Sequence, residues 1–186
     1  MTADALPEST YAVLGLIDKV PGSSGYELVS VADRSFAHFW PVSQTLLYRE
    51  LNRVVDLGWA SATRVEQTRV PSKRIYRITA DGAQTLEGWL SRPAPLSETF
   101  RSGMLLRLFF AHRMDPSEVQ TMLNDYRTAL NGQRDEFAAL VAKLASIPTP
   151  TARMGRLSAL HGLRTAEARL AWVEEASDEL AKADEM

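Results

Sequence analysis

Along the first half of the chain, apolar positions recur three and four residues apart in short runs broken by Pro and Gly, the period of amphipathic helices. Tyr11, Leu14, Leu16 and Ile17 form one stripe, with Ser9 placed to cap it and Pro21 and Gly22 to stop it near Val20. A second run starts near Ser24 with Tyr26, Leu28, Val29 and Ala32. The aromatic cluster Phe36, Phe39 and Trp40 then precedes Pro41, where the backbone must leave the helical region. Ser43 is a good cap for a third helix ending near Leu57, with Gly58 where a left-handed turn is expected. Leu47, Leu51, Val54 and Val55 share one side of it, and Gln44, Tyr48, Arg49, Asn52 and Arg53 show on the other.

After Gly58 the character changes to β-branched and aromatic residues. Trp59 to Val65 and Arg74 to Ile78 read as the arms of a β-hairpin, and the connector Thr68 to Ser72 holds Pro71 among basic neighbours. Thr79-Ala-Asp-Gly opens a fourth helix bearing Leu86, Trp89 and Leu90 and closing at Pro93 and Pro95. A first domain is therefore expected over 1–92, with its boundary at Pro93 to Ser97.

The rest, 98–186, reads as all helical. Phe100 to His112 carries Met104, Leu105, Leu106, Leu108, Phe109 and Phe110 nearly all round, which predicts a helix enclosed on most sides. Asp115 and Pro116 open the next helix as cap and first-turn residue. Val119, Leu123, Tyr126, Leu130, Gln133, Phe137, Leu140 and Leu144 alternate four and three apart, a heptad seam with one polar interruption at Gln133. At 1.5 Å per residue that helix is roughly 45 Å long. Pro148 and Pro150 break it. A last helix over about Ala152 to Leu180 carries Leu160, Leu163, Leu170, Val173 and Leu180. Two long antiparallel helices with uncovered apolar edges call for a second subunit, so the dimer interface is expected at Leu105, Leu108, Phe109, Leu123, Tyr126, Leu130, Leu163, Leu170 and Val173.

Composition narrows the chemistry. The 186 residues contain no Cys, which excludes disulfides, thiolate nucleophiles and cysteine-ligated zinc. The N-terminal residues lack the basic and apolar segments of a secretory signal, and no apolar run is long enough to span a bilayer, so a cytoplasmic protein is expected. His38, His112 and His161 have no metal-ligand spacing, and the consecutive pair Glu174 and Glu175 diverges around a helix. No catalytic constellation, phosphate loop or serine elbow can be assembled, so neither an enzyme nor a cofactor or metal is expected. Net charge is only -2, yet the cations are concentrated. Arg34, Arg49, Arg53, Arg64, Arg69, Lys73, Arg74 and Arg77 stand against Glu50, Asp56 and Glu66, while Glu174, Glu175, Asp178, Glu179, Asp184 and Glu185 crowd the other end. This places a positive surface on an otherwise acidic molecule.

The order helix, helix, helix, hairpin, helix is that of a winged helix-turn-helix, so the fold class is mainly α: a DNA-binding domain with a β-hairpin wing, followed by an all-α dimerisation domain. A recognition helix offers polar and basic side chains to the major groove from one face while the other is anchored in a core. The third helix meets that requirement. Ser43, Gln44 and Thr45 would enter the groove first, with Arg49, Asn52 and Arg53 following along it or reaching phosphates. Arg69, Lys73 and Arg74 on the hairpin would lie over an adjacent backbone or minor groove. A small solvated domain also presents amphipathic helices and charged hairpins, but the two side by side favour DNA contact; a helical adaptor using this fold to bind a protein is the alternative.

Tyr11-Ala-Val-Leu-Gly-Leu, Gly25-Tyr-Glu-Leu, Ser43-Gln-Thr-Leu-Leu-Tyr-Arg-Glu-Leu, Gly58-Trp and Ile75-Tyr-Arg-Ile-Thr-Ala-Asp-Gly resemble the PadR family of transcriptional regulators. Leu105-Leu-Arg-Leu-Phe-Phe and Leu170-Ala-Trp-Val-Glu-Glu are similar to the dimerisation part of its longer members, of the virulence-activator type. The resemblance implies a homodimer, usually a repressor, on a pseudo-palindromic operator in double-stranded DNA, released in many members by a small molecule. By motif it implies that Tyr26 and Tyr48 contact phosphates or the groove; either is equally well a partly buried packing residue. Ser24 stands where many members have His, and Leu46 where a small polar residue is common. Trp89, Tyr126 and Trp172 are the candidates for stacking on a small aromatic or apolar effector, although aromatics at helical spacing more often belong to a core.

Overall fold

A computed structural model describes residues 6–66, 72–93 and 101–183. The chain divides into two compact units, Met1–Leu96 and Ser97–Met186.

In the first unit α1 spans Glu8–Lys19, with its cap at Pro7, two residues before the expected one. Pro7 begins the helix, where its missing N–H costs nothing, and Ser9 is buried inside the first turn instead of capping it. Helix α2, Gly25–Ser35, is closed by a reciprocal box in which the Ser24 hydroxyl accepts from the Glu27 backbone N–H and the Glu27 carboxylate accepts from that of Ser24. Helix α3, Gln44–Asp56, starts at Ser43, whose Oγ accepts from the Leu46 N–H at 3.2 Å. It ends where Gly58, at φ 75°, lets the N–H groups of Gly58 and Trp59 reach back to the carbonyls of Val55 and Val54. Val13, Leu14, Leu16 and Ile17 of α1 meet Leu28 and Ala32 of α2 and Leu47, Leu51 and Val54 of α3 in one core.

Strands β1 (Ala60–Val65) and β2 (Lys73–Ile78) pair antiparallel, from Ala60 opposite Ile78 to Val65 opposite Lys73. The outer edge of β2 takes up the turn between α1 and α2. Gly22 N–H donates to the Tyr76 carbonyl at 2.8 Å, and Tyr76 N–H donates to that of Ser23 at 3.0 Å. Helix α4, Ala80–Leu90, is capped by Thr79, which also donates to the Gly58 carbonyl. It comes so close to β1 that a Cβ on Gly82 would lie 2.0 Å from the Trp59 carbonyl oxygen.

The second unit holds α5 (Gly103–Phe109), a short 3₁₀ turn at Ala111–Arg113, α6 (Pro116–Ala145) and α7 (Pro150–Ala183). Asp115 and Glu118 form a second capping box ahead of α6. The long helices pack antiparallel, with Leu144 against Gly155 and the Phe137 ring on Gly162. Gln133 is exposed rather than in the seam. On α7 the buried positions Ala152, Ala159, Ala166 and Val173 repeat every seven residues, and the small side chains let the two backbones approach.

That packing corrects part of the expected subunit interface. Leu123, Leu130, Leu170 and Val173 are buried inside the hairpin of a single chain, with Tyr126 and Trp172 against them, so they are its core and offer no surface to another subunit. Leu163 is half-buried. The expected enclosure of α5 also fails within one chain. Leu105, Leu106, Phe109 and Phe110 are exposed, Phe109 at 76%, Leu108 is half-buried, and Phe100 lies outside the described residues.

Candidate nucleic-acid interface

Because α3 buries Leu47, Leu51 and Val54, the residues between them turn outward. Gln44, Thr45, Tyr48, Arg49 and Asn52 are all exposed on one face, at alternating spacings of one and three residues. Ser43 is exposed too, with its hydroxyl engaged in the cap. The N-terminal end of α3 thus combines unsatisfied backbone donors and the positive end of the helix dipole with short polar side chains, a combination that suits an anionic backbone.

Strand β2 brings its cations to the same side. Arg74 Nη1 donates to Asn52 Oδ1 at 3.2 Å, and its guanidinium stands 5.5 Å over the Tyr76 ring. Lys73 Nζ lies 3.6 Å from Glu27 Oε1 of α2. Side chains therefore join the helix and the wing, which the sequence alone presents as separate elements. Arg69 lies outside the described residues. Tyr26, at 75% exposure, stands clear of the core. Tyr48 does not: a Cβ on Gly25 would fall 2.5 Å from its ring, so Gly25 is the gap through which this tyrosine crosses α2.

One acid on α3 has a place that charge counting misses. Glu50 has no exposed surface, although it lies between two arginines on the recognition helix. Its Oε2 accepts from Thr10 Oγ1 of α1 at 2.8 Å and from Arg53 Nη1 at 2.7 Å, and Oε1 accepts from Arg49 Nε at 3.3 Å. Arg53 also donates to Thr10 Oγ1 at 3.3 Å, so its guanidinium is turned toward the protein rather than simply extended into solvent. The signal is in the spacing. Glu50 stands three residues after Leu47 and four before Val54, on the buried stripe.

The fold alters the acidity of two groups here: burial raises the Tyr76 phenol, and Glu27 moves the other way. The Ser24 backbone N–H, then its hydroxyl, and after these Lys73 hold the Glu27 carboxyl below the usual carboxylate range. A carboxylate with a lowered folded value stabilises the fold above its ordinary range and loses that contribution as pH falls through the folded value. We expect acid to lower the urea midpoint of the protein, and Glu27→Gln to show less of that fall. Equal pH profiles for the two proteins would show that the box does not titrate with folding.

The effector candidates belong to different units. Trp89 stacks on Tyr11 at 5.3 Å and donates through Nε1 to Glu8 Oε2, within the first unit. Tyr126 and Trp172 meet edge to face at 6.5 Å in the second. Among the described residues, no cluster of three or more His, Asp or Glu suits a metal ion, and no helix is long and apolar enough to cross a membrane.

A three-helix core presenting one polar helix face, with a two-stranded wing beside it, defines a winged helix-turn-helix protein of the DNA-binding class. The chain pairs a PadR-like transcriptional regulator domain, matched by that family's model over residues 13–88, with a virulence activator α C-terminal region, matched over residues 100–181. Among its relatives is the negative transcriptional regulator PadR of Bacillus subtilis (strain 168), 27% identical over 141 residues that cover 75% of this chain and 76% of that protein. The crystal structure of Bacillus subtilis PadR in complex with operator DNA superposes with a TM-score of 0.81 at 24% identity, covering 94% of this chain and 99% of the other. The structure of that protein in complex with p-coumaric acid gives 0.73 at 23% identity, covering 92% and 98%.

Proposed function

We propose that this regulator is a homodimeric repressor that reads a pseudo-palindromic operator through the exposed face of α3, and that a small aromatic or apolar molecule relieves it. The observation that carries the reading is the segregation of α3: Gln44, Thr45, Tyr48, Arg49 and Asn52 outward, Leu47, Leu51 and Val54 wholly buried, with Arg74 of the wing tied to the outward face. The description of the Bacillus subtilis relative as a negative regulator, and its complexes with operator DNA and p-coumaric acid, support repression and relief. The uncovered apolar side chains of α5 support the dimer. Such a protein works in the cytoplasm, beside the DNA it regulates. In the two-fold dimer two α3 helices would enter major grooves about 34 Å apart, so half-sites should be centred one helical turn apart or a multiple of it.

Anisotropy titrations with duplex from the DNA adjoining its own gene test this. Arg49→Ala should weaken binding to all duplexes alike and flatten the salt slope by roughly 0.9 for each phosphate left without its cation. Gln44→Ala should instead change base preference, by about 1–3 kcal/mol at one operator position. Arg53 is not expected to follow Arg49, because its guanidinium is shared between Glu50 and Thr10 and its side chain is 33% exposed, against 64% for Arg49. A wild-type protein that ignores duplex DNA at low salt would be the protein-binding adaptor. For relief, p-coumaric acid is the first ligand to try, with Tyr126 and Trp172 the aromatic pair to substitute. Trp89 already spends one ring face and its N–H inside its own unit.

A further inference from the structure

We infer that Glu50 is a positioning and specificity-determining residue: it holds the two recognition-helix arginines in place and cancels part of their charge, so that sequence-independent attraction to DNA stays weak. The inference rests on the DNA-binding reading of α3.

A carboxylate without any exposed surface is costly to bury and persists only with several donors on it. Glu50 has three, from Thr10 on α1 and from Arg49 and Arg53 on its own helix. Thr10 is itself fully buried and takes a second hydrogen bond from Arg53, so the network reaches from the floor of the core to the rim of the DNA-facing surface. An apolar residue at this position would fill the stripe as Leu47, Leu51 and Val54 do. The acid adds something packing does not need. It fixes the direction of two long cationic side chains that would otherwise sample many rotamers. It also reduces the charge these three residues bring to α3 from two positive units to one. Non-specific affinity for DNA grows with each phosphate neutralised, and base reading does not. Partial cancellation by a buried acid therefore lowers binding to every sequence while the base-reading roles of Gln44 and Asn52 are kept.

The test uses the full chain, the tightest duplex selected from a random pool, and a scrambled duplex of equal length, titrated across a range of salt. Glu50→Gln removes the charge with little change in volume. Each further phosphate neutralised should steepen the salt slope by roughly 0.9, up to about two for the dimer, and raise scrambled-duplex affinity by roughly eightfold at about 0.1 M salt, or up to about sixtyfold where both protomers contribute. The ratio of selected to scrambled affinity should fall. Glu50→Asp restores the charge one methylene shorter, and its salt slope should return toward that of the wild type. Thermal melting reports folding. Should Glu50→Gln not fold, Glu50→Met, which fills the stripe without charge, carries the same expectation. A charge-removing variant that folds and matches the wild type in slope and ratio, or a Glu50→Asp as steep as Glu50→Gln, overturns the role of Glu50 and leaves DNA binding standing. A wild type that distinguishes no duplex overturns both.

Discussion

Gly82→Ala is expected to unfold the DNA-binding unit. A methyl group normally favours a helix interior over Gly by about 1 kcal/mol. At position 82 it would stand 2.0 Å from the Trp59 carbonyl oxygen and 3.0 Å from the Ile78 side chain, and the carbonyl belongs to backbone that runs directly into β1. Relief requires α4 to move away from the hairpin, breaking the Thr79 bonds to Trp59 and Gly58 that anchor its start. Overpacking of this kind against backbone costs about 3 kcal/mol or more, which exceeds the propensity gain. Gly88 on the same helix is the control, because a Cβ there meets nothing within 4 Å; Gly88→Ala should be neutral or stabilising by up to about 1 kcal/mol. Urea unfolding followed by tryptophan fluorescence separates the two. Similar midpoints for both variants would show that α4 can shift without cost.

Phe109→Asp is expected to turn the proposed dimer into a monomer without unfolding it. The ring is 76% exposed on one chain, next to exposed Leu105, Leu106 and Phe110, so little of the chain's own stability depends on it. In a two-fold interface the substitution counts twice: each protomer forfeits about 2 kcal/mol of buried aromatic surface. Each also brings an unpaired carboxylate into an apolar interface. Operator affinity should fall by about 10²–10⁴-fold, because the second half-site no longer benefits from the first. Light scattering gives the mass and anisotropy the affinity. A Phe109→Asp protein that stays dimeric and binds as tightly as the parent would remove α5 from the interface. Leu123→Ala makes the contrast: that side chain is buried within its own hairpin, so the loss should be about 2–5 kcal/mol of folding stability.

Most helix starts are legible because capping is a local matter of one side chain and the three residues after it. Ser43, Thr79 and Asp115 all cap where the sequence places them, and Ser24 caps the helix expected to start near it. Ser9 misleads because a hydroxyl ahead of an apolar stripe looks like a cap whether it sits at the first turn or inside it, and Pro7 has already opened the helix. The polar face of α3 is legible for the same reason its core face is. The inward acid is not, since a charged side chain counts as surface until its place on the stripe is weighed. The heptad on α6 announces that something covers Leu123 and Leu130, but a repeat does not say whether the cover is the next helix or another molecule. On α7 the cover of Leu123 and Leu130 comes through Leu170 and Val173, and the buried line continues along the helix through Ala152, Ala159 and Ala166, too small to register as a hydrophobic stripe.

By itself the sequence determined the elements, their order, the wing and the polar face of the third helix, because these follow from periodicity and caps within a few residues. Only the tertiary structure decided which partner each group faces: Glu50 with Thr10 forty residues away, Arg74 with Asn52, Gly82 beneath Trp59, the long seam against its own return helix. Such pairings depend on how elements distant in the chain are brought within a few ångströms, and neither hydropathy nor charge at one position carries that distance.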